Sequence, residues 1–173
     1  MPELIEPTVE LRESWLEAAA EWGDTHQDGA GIHEGDELGT VEGFGAWISR
    51  LREQSDESVA VGPDRVHASY WWIVEDGEYA GAISLRHRLN DQLLDAGGHI
   101  GYGVRPSYRR RGLASWALGE VLTRARERGL ERVLVSCAAE NLASARTIER
   151  NGGVLEDVRE TWLGLARRYW IEL

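Results

Sequence analysis

The stretch His99 to Gly129, HIGYGVRPSYRRRGLASWALGEVLTRARERG, decides how the rest of the chain is read. Ile100, Tyr102 and Val104 alternate with His99, Gly101 and Gly103, a period of two that predicts a strand, and Pro106 ends it by removing a backbone donor. Arg109, Arg110 and Arg111 then lead into Gly112. After the glycine, Leu113, Ala114, Ala117, Leu118, Val121, Leu122 and Ala125 recur at helical spacing, so a helix starts at or just after Gly112 and ends near Gly129. A helix N-terminus with free N–H groups, entered through a basic loop, suits an anion. Gly112 and Ala114 allow a pyrophosphate to approach the backbone, while the three arginines supply charge-assisted donors. A dinucleotide-binding fold is excluded, because its glycines open the helix, whereas Gly101 and Gly103 lie inside the strand.

Downstream of this unit, Arg132 to Cys137 reads as a short buried strand, parallel to the first across the helix. Asn141 to Asn151 reads as a helix with Asn141 as its cap and Gly152 as its stop, followed by strands near 154–161 and 167–173. Upstream, Tyr70 to Val74 and Tyr79 to Leu85 form a hairpin across Glu75 to Glu78, and Arg88 to Gly97 is a polar connection. Two helices precede it, one within Glu6 to Glu21 capped by Thr8 and one from Val41 to before Ser55. Between them, the glycine-rich acidic stretch Gly23 to Thr40 is a long loop of the kind that is often functional. Residues 1–62 thus read as a helical cap, and 63–173 as the sheet and core of one domain.

With these blocks assigned, the chain resembles the GNAT N-acetyltransferase superfamily. Arg109-x-x-Gly112-x-Ala114 is similar to that family's acyl-CoA signature, and Asn141-Leu-Ala-Ser144 followed by Ile148 to Gly153 is similar to its next helix. The resemblance implies a single α/β domain: a mixed, mostly antiparallel twisted sheet with one splayed parallel strand pair and helices on both faces. It implies that acetyl-CoA is held by Tyr102, Gly103 and Val104 on the strand edge, by Arg109, Arg110, Arg111, Gly112, Leu113, Ala114 and Ser115 in the loop and helix start, and by Asn141 and Ser144. Two departures stand out. Ile148 occupies the place of the tyrosine that protonates the leaving thiolate in many members, and Ser136 that of a glutamate base in some. His99, with an unperturbed pKa suited to accepting a proton from an ammonium, is the first substitute for the base and His87 the second.

Composition bounds the partners. A length of 173 residues with 42 % hydrophobic content and eight tryptophans suits one domain with a sizeable core. The net charge of −11 disfavours nucleic acid and favours a cationic amine. A single cysteine, Cys137, and the lack of a secretory leader or a long apolar run lead to the expectation of a soluble cytoplasmic protein, with no membrane and no metal, free to form a homodimer. Cys137 reads as a small core residue, and the tryptophans as core or pocket wall. The expected activity is transfer of acetyl from acetyl-CoA to a primary amine of a small molecule. A protein N-terminus or lysine is the alternative acceptor, and a non-catalytic acyl-CoA-binding module the alternative class.

Overall fold

In the computed structural model, which describes residues 1–173, the chain opens with a short edge strand, β1 (Glu3–Ile5), ahead of the first helix. Thr8 caps a 3-10 turn over Val9–Leu11 that runs into α1 (Arg12–Trp22). After the long loop, the Thr40 hydroxyl accepts from the Gly43 N–H and starts α2 (Val41–Ser55). The hairpin β2 (Ala68–Glu75) and β3 (Glu78–Arg86) turns at Asp76 and Gly77, both at positive φ, as a tight two-residue turn requires. The polar connection beyond it holds a short helix, α3 (Asp91–Asp95), capped by Asn90. Then follow β4 (Ile100–Val104), α4 (Leu113–Glu127), β5 (Arg132–Ala138), α5 (Leu142–Arg150), β6 (Val154–Thr161) and β7 (Gly164–Glu172).

The strands form two antiparallel sheets, ordered β1-β2-β3-β4 and β5-β7-β6, which meet where β4 starts beside β5. On one face, Ala117, Leu118 and Val121 of α4 and Ile148 of α5 pack on Ile73, Ile83, Leu85, Ile100, Val133 and Val135. On the other, α1 and α2 carry Trp15, Phe44, Trp47 and Leu51 onto Trp72, Val74, Tyr79 and Ala82. Trp15 meets Trp47 edge-on with centroids 5.1 Å apart, and Trp72 meets Tyr79 in the same way. The N-terminal helices therefore cover the sheet face opposite α4. Trp162 departs from the core or wall expectation: it is 52 % exposed at the β6–β7 turn, where its indole N–H donates to Gln92 O and so pins α3.

The junction of the two sheets is built by one side chain. The His99 N–H donates to Leu134 O at 2.7 Å, but the Leu134 N–H goes to His99 Nδ1, at 2.9 Å, instead of to a strand carbonyl. The imidazole thus takes the bond that a continuing parallel ladder would need, and beyond it β4 and β5 share no ladder.

Candidate active site

The gap opened by His99 exposes backbone. The Arg105 N–H donates to Ala80 O at 2.8 Å, which fixes the alternation along β4: Gly101 and Gly103 turn their peptide groups to β3, and Tyr102 and Val104 turn theirs to the gap. The Val104 carbonyl accepts from Arg109 Nε at 3.0 Å. The Tyr102 and Val104 N–H groups and the Tyr102 carbonyl face the gap with no strand beside them. An extended ligand with amide groups can pair with such an edge as an added strand does.

At its far end this edge runs into a loop and helix start whose free N–H groups could cradle an anion. Every backbone N–H from Arg110 through Ser115 lacks a protein acceptor, since the next donor, Trp116 N–H, is the first to find one, at Gly112 O. Gly112 is the N-cap in left-handed conformation with φ 76°, and no side chain caps the helix in its place. Arg110 is also held at positive φ, 64°, so the loop is wound to point consecutive N–H groups outward. The three arginines divide their tasks. Arg109 folds back over the Trp22 ring and onto Val104, Arg111 packs over Tyr108 near Glu75, and the Arg110 head has no protein partner. The loop is anchored from α1: Glu21 accepts from Arg105 Nε at 2.5 Å and from the Ser107 N–H at 2.9 Å. Burial works to raise the Glu21 carboxyl, but the Ser107 and Arg105 hydrogen bonds outweigh it and hold it below its ordinary value.

Opposite the cradle, across the gap, lies the N-terminus of α5. Asn141 Oδ1 accepts the Ser144 N–H at 3.1 Å, so the residue is a cap, and its amide NH2 makes no bond within the protein. The Tyr102 ring crosses the gap and brings its hydroxyl to 2.7 Å from Ser144 Oγ. Burial pushes the Tyr102 phenol up to about 12, the hydrogen bond with Ser144 opposing it. The Tyr102–Ser144 contact was not visible in the sequence, where Tyr102 read only as edge backbone. Cys137 is half-buried at the end of β5, and burial raises its thiol above the ordinary value, which leaves it a poor nucleophile. Ile148 is fully buried, and Ser136 Oγ accepts the Gly97 N–H, tying down the segment after α3.

The face of β4 away from α4 receives the long loop. Gln27 to Ala30 form a turn with Gly29 at φ 79°, and the turn presses backbone onto backbone. A Cβ on Gly103 would stand 3.0 Å from Asp28 O, and one on Gly101 would stand 3.4 Å from Gly29 N. The two strand glycines thus serve a close approach by the chain's own loop.

The two histidines fall elsewhere than expected. His99 is 6 % exposed, and burial together with Arg86 pushes it down to about 4, with Nδ1 engaged by Leu134. Its ring holds the strands apart and has no free lone pair there to take a proton. His87 lies at the C-terminal end of α4, the end remote from Gly112, between Ser69, Glu57 and Arg128. The geometry therefore separates both rings from the role of base.

The acetyltransferase (GNAT) domain family matches residues 6–154 of this chain. The chain belongs to the GNAT acetyltransferases. This makes it an acyl-CoA-dependent acetyltransferase. No curated protein matches it. Among solved structures it is similar to RimL, a ribosomal L7/L12 alpha-N-protein acetyltransferase in complex with coenzyme A, at 18 % identity over 99 % of this chain and 94 % of that one, TM-score 0.73. It is similar to MccE, a microcin C7 self-immunity acetyltransferase in complex with acetyl-CoA and AMP, at 16 % identity over 99 % and 92 %, TM-score 0.71. It is also similar to the ribosomal-protein-S5-alanine acetyltransferase from Vibrio fischeri, at 14 % identity over 99 % and 92 %, TM-score 0.75. Identities this low establish a shared fold.

Proposed function

We infer that this GNAT acetyltransferase moves an acetyl group from acetyl-CoA to a primary amine of a small molecule. The observation that carries the reading is the continuity of the open Tyr102–Val104 edge with the free N–H run from Arg110 to Ser115. The first suits the amide-bearing arm of coenzyme A and the second its pyrophosphate. RimL and MccE, whose structures hold coenzyme A and acetyl-CoA, lend support through the shared fold. In this reading the Val104 N–H polarises the thioester carbonyl and the Asn141 amide donates to the arm. The Ser144 hydroxyl, backed by Tyr102 at the positive end of α5, passes a proton to the departing thiolate.

The 27–30 turn supports a small molecule, because its backbone is seated on β4 at Gly101 and Gly103, on the face where a peptide acceptor would otherwise lie. A protein N-terminus is the second reading, favoured by the ribosomal-protein acetyltransferases that share the fold. Thiol release from acetyl-CoA, followed over a panel of small primary amines and a panel of short peptides, tests the choice. Turnover confined to the peptides overturns the small-molecule reading. No helix of the chain is long and apolar enough to cross a membrane, and use of acetyl-CoA supports a cytoplasmic setting. The apolar Val154, Leu155 and Val158, exposed along β6, support a homodimer, which sedimentation would reveal.

A further inference from the structure

With His99 and His87 both committed elsewhere, the gap needs another group to accept the proton that an ammonium acceptor sheds. The carboxylates of the 23–40 loop differ in what holds them. Asp36 is bound by Arg50 at 2.5 Å and by the His33 N–H. Asp24, Glu34 and Glu37 lie elsewhere in the loop, outside the turn whose backbone meets β4. Asp28 alone stands at the turn that touches β4, its carbonyl against Gly103 and the next residue against Gly101, one position from the open Tyr102–Val104 edge. Its Oδ1 lies 3.2 Å from His26 Nε2, and the two side chains are 70 % and 79 % exposed, so an entering amine can reach both. Asp28 touches His26 on its own loop, and the charges of Arg86 on β3 and the Tyr102 phenol, on the other side of β4, act on it through space.

We propose that Asp28, set on β4 by the Gly29–Gly101 backbone contact and paired with His26, binds the acceptor ammonium and takes its proton. The inference rests on the amine-acetyltransferase reading and adds the residue that prepares the amine. One N–H bond of the ammonium breaks to the Asp28 carboxylate. The freed lone pair forms the C–N bond to the acetyl carbonyl carbon, and the C–S bond breaks. The nitrogen's second proton balances the thiolate, and the proton on Asp28 leaves through His26 to water. Burial raises the Asp28 carboxyl above its ordinary value, which suits it to take the proton, while the charges of His26 and Arg86 oppose that rise and favour the proton's release.

Two measurements test this in wild type, Asp28→Asn and Asp28→Glu. In the first, n-butylammonium is titrated into the coenzyme A-saturated protein at pH 7 and followed by NMR of the His26 ring. Wild type should bind at least about tenfold more tightly than Asp28→Asn, with Asp28→Glu between them and coenzyme A affinity equal in all three. In the second, kcat/KM is followed against pH on the best amine of the panel. Asp28→Asn should lose about 100-fold near neutrality and recover towards wild type as pH approaches the pKa of the amine, where free amine no longer needs a base. Equal n-butylammonium binding in wild type and Asp28→Asn overturns the proposal. So does a pH profile that Asp28→Asn leaves unchanged. If wild type acetylates no amine while the binding difference holds, the acceptor reading fails and the cation site at Asp28 stands.

Discussion

The hydroxyls of Tyr102 on β4 and Ser144 on α5 meet at 2.7 Å across a gap that no strand bridges. Side chains on a helix lean towards its N-terminus, so a tyrosine at position 148 would carry its hydroxyl back over the turn that holds Ser144. In this chain that spot is served from the opposite wall, by a strand residue. Ser144→Ala should lower kcat by about 10- to 100-fold and leave coenzyme A affinity within about threefold. Tyr102→Phe should do less, since water can replace the phenol behind Ser144. Single-turnover rates read the difference, and an unchanged rate in Ser144→Ala removes the serine from thiolate protonation.

Gly112 separates binding from folding. A Cβ there meets nothing within 4 Å, yet the left-handed backbone strains any side chain. Gly112→Val should cost about 1–2 kcal/mol of stability, seen as a few degrees in Tm. Its effect on coenzyme A should be larger, tenfold or more in Kd by calorimetry, because the isopropyl group would fill the space an anion needs above the free N–H groups. An affinity loss no larger than the stability loss would dissociate the cradle from the pyrophosphate.

His99 predicts a pH dependence of stability. Its folded value of about 4 lies below the ordinary 6.5, so the unfolded chain binds the extra proton between those limits. The contribution is complete above about pH 6.5 and is lost as pH falls towards 4, reaching about 3 kcal/mol at most. His99→Asn supplies a side-chain oxygen for the Leu134 N–H without titrating, and its denaturation midpoint should be flatter over that window. His99→Leu leaves the Leu134 N–H orphaned and should cost about 1–3 kcal/mol at neutral pH. Urea titrations at pH 4.5 and 7.5 give both numbers.

Glu21 ties α1 to the basic loop, and its removal leaves Arg105, which is 8 % exposed, with only the Tyr79 carbonyl and the Glu17 carboxylate at 3.8 Å. Because Glu21 itself is partly in water, Glu21→Ala should cost about 1–2 kcal/mol, less than a fully buried pair. Its carboxyl is lowered on folding, so this contribution is present above its unfolded value and disappears as pH falls through the folded one. Coenzyme A affinity should fall with it, since Ser107 and Arg105 begin the cradle. Wild-type affinity in a destabilised Glu21→Ala would show that the loop holds its shape without α1.

What the sequence discloses depends on how local each device is. The strand, arginine loop and helix from Ile100 to Glu127 carry their signals within one continuous stretch, and Asn141 announces its cap three residues before Ser144. The three-residue β1 and five-residue α3 are too short to show a period, and their partners lie in β2 and at Trp162. The glycines of β4 signalled a close approach, but only the fold shows that the visitor is Gly29, more than seventy residues earlier in the chain. His99 misled for a physical reason. Its strand position and ordinary pKa suggest a base, while its actual task depends on Leu134, thirty-five residues on, and on a burial that periodicity does not reveal.

The contact of the 27–30 turn with β4 is made by main chain on both sides, and this bears on how the enzyme can change acceptors over evolutionary time. A Cβ on Gly29 would stand 2.4 Å from Gly101 O, so that position cannot drift without moving β4. His26, Gln27 and Asp28 carry side chains that do not make this contact, and their replacement leaves the seam intact. The lineage can therefore sample new amines at Gln27, between the paired His26 and Asp28, while the seam beneath them is inherited unaltered.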